Sequence, residues 1–456
     1  MRNIHKILIT LFIINCTAAS ASVPPPQGAV LFIADGLGSH YIYPELMAET
    51  HDGKKLQNTP CPNITADGLR VLYVKAPVPK TGPGHSVIVT GNSKATTETI
   101  PETTTLFDVL QNSEEFLILG VMERGSSSNM REKQDAVLYA RSNSIRSPVF
   151  EIQHKNAPSE ILKIMEQRCS MMPEYVNNTA GATRYCMYNR FAIETAEKIV
   201  KTMLQEYPSK RFLLIVNVGG LGGLEGAGHY AGFSTYSEVI KGLDVDLYSF
   251  KKLCRDNHIV FLFTSDHGIS FRTVDSRGGN AGGDYVKKTE SLYIPRIVSA
   301  ENVKTGILKG EHGQEDIAPT LLGILDIANT LDADGKALPI KNYANIYATT
   351  DADYVHLYQG NSLVDNQTGK KVVFKYLEGT YRLRFVKGNT TTEQTVSLEG
   401  DIMLNVKVPD TTQPTKTPPP TVKRTSTNHT TRYAAGMILI LFVNIIGIML
   451  IKRIKD

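Results

Sequence analysis

Short apolar runs that stop abruptly at glycine or polar residues punctuate the first part of the chain. They are Ala29–Ala34 within "GAVLFIADGLG", then "RVLYVKAPV", "FLILGVM", "RFLLIVNVGG" and "HIVFLFTSDHG". Most lack the alternation expected of a strand with one wet face, so they read as strands buried on both sides. Between them lie helical patterns. In Arg190–Tyr207, for example, Ile193, Ala196, Ile199, Val200 and Met203 recur at helical spacing. Buried strands alternating with amphipathic helices predict an α/β fold, a mostly parallel central sheet with helices on both faces. In such sheets ligands bind beyond the carboxyl ends of the strands.

The pattern divides the rest of the chain. A main domain covers 22–350, and its stretch 126–208 carries few strand signals, which predicts a cap-like insertion beside the site. Residues 351–409 alternate over short runs ("KKVVFKYLEG", "TYRLRFVKG") and predict a small C-terminal antiparallel β module. Residues 410–431 are rich in proline and threonine and predict an extended stalk. Residues 433–451 are apolar and uncharged, and Lys452, Arg453 and Lys455 follow, which predicts a C-terminal transmembrane helix with a basic cytoplasmic tail at 452–456. Residues 1–21 combine a basic start, the apolar "ILITLFII" and small residues ending at Ala21, as a secretory signal peptide does. Together these predict a cell-surface protein with its main domain outside.

The net charge of +4 sits at the two ends, and without them acidic and basic residues balance. No basic face for nucleic acid is expected. Cys61, Cys169, Cys186 and Cys254 remain after the signal segment. An exported chain permits disulfides, and Cys169 with Cys186 would close a local loop. Asn63, Asn177, Asn366, Asn389 and Asn428 stand in glycosylation sequons, consistent with exposure outside the cell.

Candidate chemistry gathers at the predicted strand ends. Asp35 follows "LFIA". Glu225 and His229 stand four apart after "FLLIVNVGG". Asp266 and His267 follow "VFLFTS", and His312 lies in "GEHG" before a helical pattern. Thr81 opens "TGPGHSVIVTG", a stiff, small turn running into an apolar segment. Carboxylates and imidazoles suit divalent metals such as zinc, and the number of such groups exceeds what one tetrahedral ion needs. The residues therefore point to two divalent metal ions.

This ordered set resembles the metal-binding signature of the alkaline phosphatase superfamily. "TGPGHSVIVTG" resembles the nucleophile motif of its threonine-type alkaline phosphatases and of the nucleotide pyrophosphatase/phosphodiesterase family. The resemblance implies that Asp35, Thr81, Asp266 and His267 hold one metal, and that Glu225, His229 and His312 hold the other. It implies that Thr81 is the nucleophile, passing through a phosphothreonine, and that the ions are zinc. Three positions differ from the family pattern. Glu225 replaces the usual aspartate. The Lys-x-Arg pair that contacts phosphoryl oxygens becomes Met122-Glu123-Arg124, leaving only Arg124. The asparagine placed after the nucleophile motif corresponds to Glu102. The resemblance implies hydrolysis of a small phosphate ester, a monoester on the wording of the motif. Alternatives are a phosphodiesterase, a phosphoryl transferase and a surface binding protein that retains the fold.

Overall fold

A computed structural model describes residues 24–113, 115–123, 127–142, 144, 146–220 and 223–409. The signal segment, the stalk, the transmembrane segment, the tail and Arg124 lie outside the described residues. Among the described residues no helix is long and apolar enough to cross a membrane.

The apolar runs form the strands of one sheet. In chain order these are β1 (Gly28–Ala34), β2 (Leu69–Lys75), β3 (Phe116–Met122), β4 (Ala136–Ala140), β5 (Phe150–His154), β6 (Arg211–Val218) and β7 (Ile259–Thr264). A two-stranded ribbon of β8 (Ser270–Phe271) and β9 (Gly278–Gly279) follows, and then β10 (Tyr293–Ser299) and β11 (Gly306–Gly313) rejoin the sheet. The sheet has nine strands in the order β11-β2-β10-β7-β1-β6-β3-β4-β5. β1 pairs in parallel with β6 and β7, β3 with β4 and β6, and β11 with β2. β10 and β5 run against their neighbours.

Both faces are covered, which is why the runs do not alternate. Val30 and Phe32 of β1 point to the face packed by helices Ser159–Val176, Gly181–Glu206 and Phe233–Asp256. Leu31 and Ile33 point to the face packed by helices Thr81–Thr90, Leu106–Gln111 and Ile317–Ile324. Phe32 stacks on Phe263 with ring centroids 5.6 Å apart, one of the contacts that fix the centre of the sheet.

Two expectations are corrected here. The stretch 126–208, expected to be a cap-like insertion, instead supplies β4 and β5 to the sheet edge and two helices to its face. β5 is short and only half-buried, so its pattern is weak. Cys169 and Cys186 do not pair, and both are free. Cys169 Sγ lies 3.0 Å from the Phe150 carbonyl of β5, whereas Cys186 packs over Gly242 of the helix Phe233–Asp256. The two thiols sit on different helices and turn toward different neighbours.

The β module begins slightly earlier than its alternation suggests, at β12 (Ala344–Thr350). It continues through β13 (Tyr354–Gln359), β14 (Ser362–Thr368), β15 (Lys371–Tyr376), β16 (Gly379–Lys387), β17 (Thr390–Leu398) and β18 (Ile402–Val406). Two sheets, β15-β12-β18 and β14-β13-β16-β17, enclose a core that includes Ile346, Val355, Leu357, Phe374, Leu383 and Phe385. The pairs are antiparallel except β12 with β18. At its base Asp326, in the turn after the helix Ile317–Ile324, accepts from Lys375 Nζ at 2.7 Å, Tyr343 Oη at 2.8 Å and Asn345 Nδ2 at 2.7 Å. Lys341 lies 3.3 Å from Asp326 and 2.9 Å from Asp401. These charges are partly buried, and their mutual pairing offsets part of the cost of that burial.

Candidate metal and phosphoryl site

The carboxyl ends of β1, β2, β6 and β7 set the site. β1 lies between β6 and β7, with Ala34 opposite Val218 and Ile33 opposite Thr264. Asp35 and Asp266 therefore leave neighbouring strands side by side. After β2 a short loop leads to Thr81, the first residue of the ten-residue helix Thr81–Thr90. The helix ends at Gly91, whose φ of +69° glycine adopts without strain. Gly84 presses the first turn of this helix onto Asp266, because a Cβ there would lie 2.5 Å from the Asp266 carbonyl oxygen.

Thr81 is half-buried, and its Oγ1 lies 3.2 Å from His267 Nε2. His267 donates through Nδ1 to the Gly268 carbonyl at 3.0 Å, which leaves the Nε2 lone pair facing the site. That nitrogen is 3.6 Å from Asp35 Oδ1, 3.5 Å from Asp266 Oδ2 and 3.9 Å from Glu225 Oε1. Asp35, Asp266 and His267 are fully buried. Asp266 Oδ1 is held by the amides of Gly36 at 3.1 Å and His267 at 2.8 Å, so Oδ2 is turned into the site. Burial works against its charge, but His267 and His85 hold its carboxyl well below the usual carboxylate range.

His229 repeats the His267 arrangement. Its Nδ1 lies 3.1 Å from the Gly278 carbonyl and its Nε2 lies 3.4 Å from Glu225 Oε1. Burial opposes protonation of this ring, yet Glu225 raises its pKa above the ordinary value. Glu225, one methylene longer than the expected aspartate, thus sits between His229 and His267.

The donors fit divalent cations. One ligand atom each from Asp35, Glu225 and His267 lies within 4.8 Å of the others, as does one each from Asp35, His85 and Asp266. At that spacing two carboxylates repel by about 3 kcal/mol at an effective dielectric of 20. A cation turns the repulsion into attraction, and imidazole with carboxylate is a suitable donor set.

His229 and His312 stand outside both groups. His312 lies at the end of the edge strand β11, opposite Val74, and its Nε2 is buried without a hydrogen-bond partner. A register shift lies between Leu308 and Glu311, with Gly310 at φ +104°. The strand end itself reaches the site, because Gln314 Nε2 donates to the Asp266 carbonyl at 2.7 Å.

Three residues that the motifs do not place as ligands support the site. His85, in the middle of the threonine motif, donates through Nδ1 to the Thr81 carbonyl at 2.9 Å and lies 3.4 Å from Asp266 Oδ2. It ties the turn at Thr81 to the Asp266 carboxylate. Asn280 places Nδ2 3.1 Å from His267 Nε2 and 2.9 Å from the Pro79 carbonyl. Glu123 is buried just after β3 and accepts the Gly219 amide at 2.7 Å. Gly219, at φ +118°, lies against the Asp35 backbone, and its carbonyl accepts the Glu225 amide at 2.6 Å. Glu123 so steadies the backbone between two candidate ligands.

Burial pushes the Glu123 carboxyl up to about 8. The native state then binds a proton that the unfolded state releases above about pH 4.5, so this group lowers stability as pH rises from there to about 8. Glu123→Gln removes that penalty. It is expected to gain little at pH 4 and about 3 kcal/mol at pH 7, at 1.36 kcal/mol per unit. Thermal melts of both proteins across that range check it, and a gap that does not widen with pH refutes it.

No protein-family profile matches the sequence, and no curated protein matches it. Solved structures do. The alkaline phosphatase PafA is matched at a TM-score of 0.49 and 12% identity, over 70% of this chain and 99% of that one. A protein of the alkaline phosphatase superfamily from Vibrio parahaemolyticus gives 0.46 and 11%, over 84% of each chain. The lipoteichoic acid synthase LtaP from Listeria monocytogenes gives 0.45 and 12%, over 84% of this chain and 89% of that one.

Proposed function

We propose that the chain is a metal-dependent hydrolase of phosphate esters, with a preference for monoesters, that uses Thr81 as its nucleophile. One observation carries this reading: the Thr81 hydroxyl stands at a helix N-terminus, 3.2 Å from His267 Nε2, beside buried carboxylates gathered from separate strands. Asp35, Asp266, His267 and Thr81 would hold one zinc ion, and Glu225, His229 and His312 would hold the second. Bound zinc supplies Lewis-acid stabilisation of charged oxygens and makes a hydroxyl more acidic.

The protein's own residues do the rest. His85 fixes the Thr81 backbone, so Oγ1 is presented toward the site. Amides of the first helical turn have no partner within the helix and favour an anion beside Thr81. Phosphorus passes from the ester oxygen to Thr81 Oγ1, releasing the alcohol, and then to water, releasing phosphate. Arg124 is proposed to clamp the phosphoryl oxygens. The signal segment, the stalk and the apolar C-terminal segment support placement at the cell surface, anchored by one membrane helix.

The test is turnover of an aryl phosphomonoester and an aryl phosphodiester by purified protein, with and without a chelator. Faster turnover of the monoester, lost on chelation and restored by zinc, is expected. Faster turnover of the diester reverses the substrate assignment, and activity indifferent to chelator overturns the metal reading.

A further inference from the structure

The motifs leave the phosphoryl group short of donors. Met122 stands where a lysine is expected, and the asparagine expected after the nucleophile motif is missing. The fold brings a different asparagine close to the threonine turn. Asn280 lies in the glycine-rich loop "RGGNAGGD" after β9 and is 8% exposed. Its Nδ2 donates to the Pro79 carbonyl at 2.9 Å, two residues before Thr81. The same nitrogen lies 3.1 Å from His267 Nε2, which is itself 3.2 Å from Thr81 Oγ1.

These contacts fix which end of the amide carries hydrogen. Exchanging the oxygen and nitrogen would set one carbonyl oxygen against another at Pro79 and against the lone pair of His267. One amide hydrogen is thus anchored by the backbone next to the nucleophile. The other faces His267 Nε2, the nitrogen that also stands 3.2 Å from Thr81 Oγ1.

We propose that Asn280 binds a phosphoryl oxygen of the substrate through this second N–H. The proposal rests on the reading of the site as one for phosphate esters. With the His267 lone pair given to a cation, the amide hydrogen loses its acceptor in a nearly dry place, and a buried donor without an acceptor is costly. A phosphoryl oxygen bound beside Thr81 supplies the missing acceptor. The anchor at Pro79 keeps the amide in place before substrate arrives, so little ordering remains to be done on binding.

The experiment is calorimetric titration of zinc-loaded, full-length protein with inorganic phosphate. Wild type is compared with Asn280→Ala and Asn280→Asp, and zinc is counted in each. Loss of one hydrogen bond to a charged oxygen weakens phosphate binding by about 10-fold or more. The expected result is that loss in Asn280→Ala, a larger one in Asn280→Asp, where a carboxylate faces the anion, and the same zinc content in all three. Wild-type phosphate affinity in Asn280→Ala overturns the proposal alone. Zinc lost in Asn280→Ala and regained in Asn280→Asp also overturns it, because the side chain then serves the metal. Wild-type protein that holds no zinc or binds no phosphate overturns the phosphate-ester reading and this proposal with it.

Discussion

Thr81→Ala is expected to lower kcat/KM on an aryl phosphate ester by about 10⁴-fold or more, about 5.5 kcal/mol of lost transition-state stabilisation. The size follows from the absence of a substitute. Ser86 and Thr90 lie on the same helix, but Ser86 Oγ donates to the Gly82 carbonyl at 2.8 Å and Thr90 Oγ1 to the Ser86 carbonyl at 2.7 Å. Both hydroxyls are buried and turned into their own helix. Thr81→Ser keeps the oxygen and loses only the methyl that stiffens χ1, so it should retain activity within about 100-fold. The fold should be indifferent to both changes, because Thr81 is half-buried and its side chain supports no core cluster. Unchanged melting temperatures together with these rates are the expected pattern. An alanine variant that keeps a tenth of wild-type activity would remove Thr81 from the chemistry.

The second large effect is on stability. At zinc near 1,000 times its Kd, linkage contributes about 4 kcal/mol, roughly 4 °C in melting temperature for a chain of this size. Asp35→Asn gives the opposite sign in the two states. It removes a like charge within 4.8 Å of Glu225, so the zinc-free protein should melt higher, by the equivalent of about 3 kcal/mol. The same variant should lose most of the zinc-induced rise. Differential scanning calorimetry with and without chelator reads both quantities. A zinc-free Asp35→Asn protein that melts lower than wild type would mean that Asp35 earns its place structurally rather than as a ligand.

The strands around the site were legible because each is buried on both faces and each ends at a polar residue. Asp35 and Asp266 are the clearest cases: they follow β1 and β7 directly, and parallel pairing sets them together. Thr81 was legible for a related reason, as a hydroxyl at the mouth of a helix whose glycines allow close approach. The structure moves the essential close approach to Gly84, over the Asp266 carbonyl. Where the sequence misled, a weak local pattern was responsible. β5 mixes Phe150 and Ile152 with Glu151 and Gln153 at a sheet edge, so it read as part of an insertion. Asn280 stands among glycines, where neither period nor spacing marks a side chain, and only the folded ribbon of β8 and β9 brings it to His267.

The paired charges at the base of the β module have a consequence for heredity. Asp326 belongs to the sheet-and-helix layer, Lys375 and Asp401 to the module, and Lys341 to the segment between. A chain that lost the module by deletion would leave Asp326 with Lys341 but without Lys375. A chain that acquired a foreign module would have to supply partners for Asp326 and Lys341 anew, as Lys375 and Asp401 do here. The two parts are therefore expected to descend as a pair.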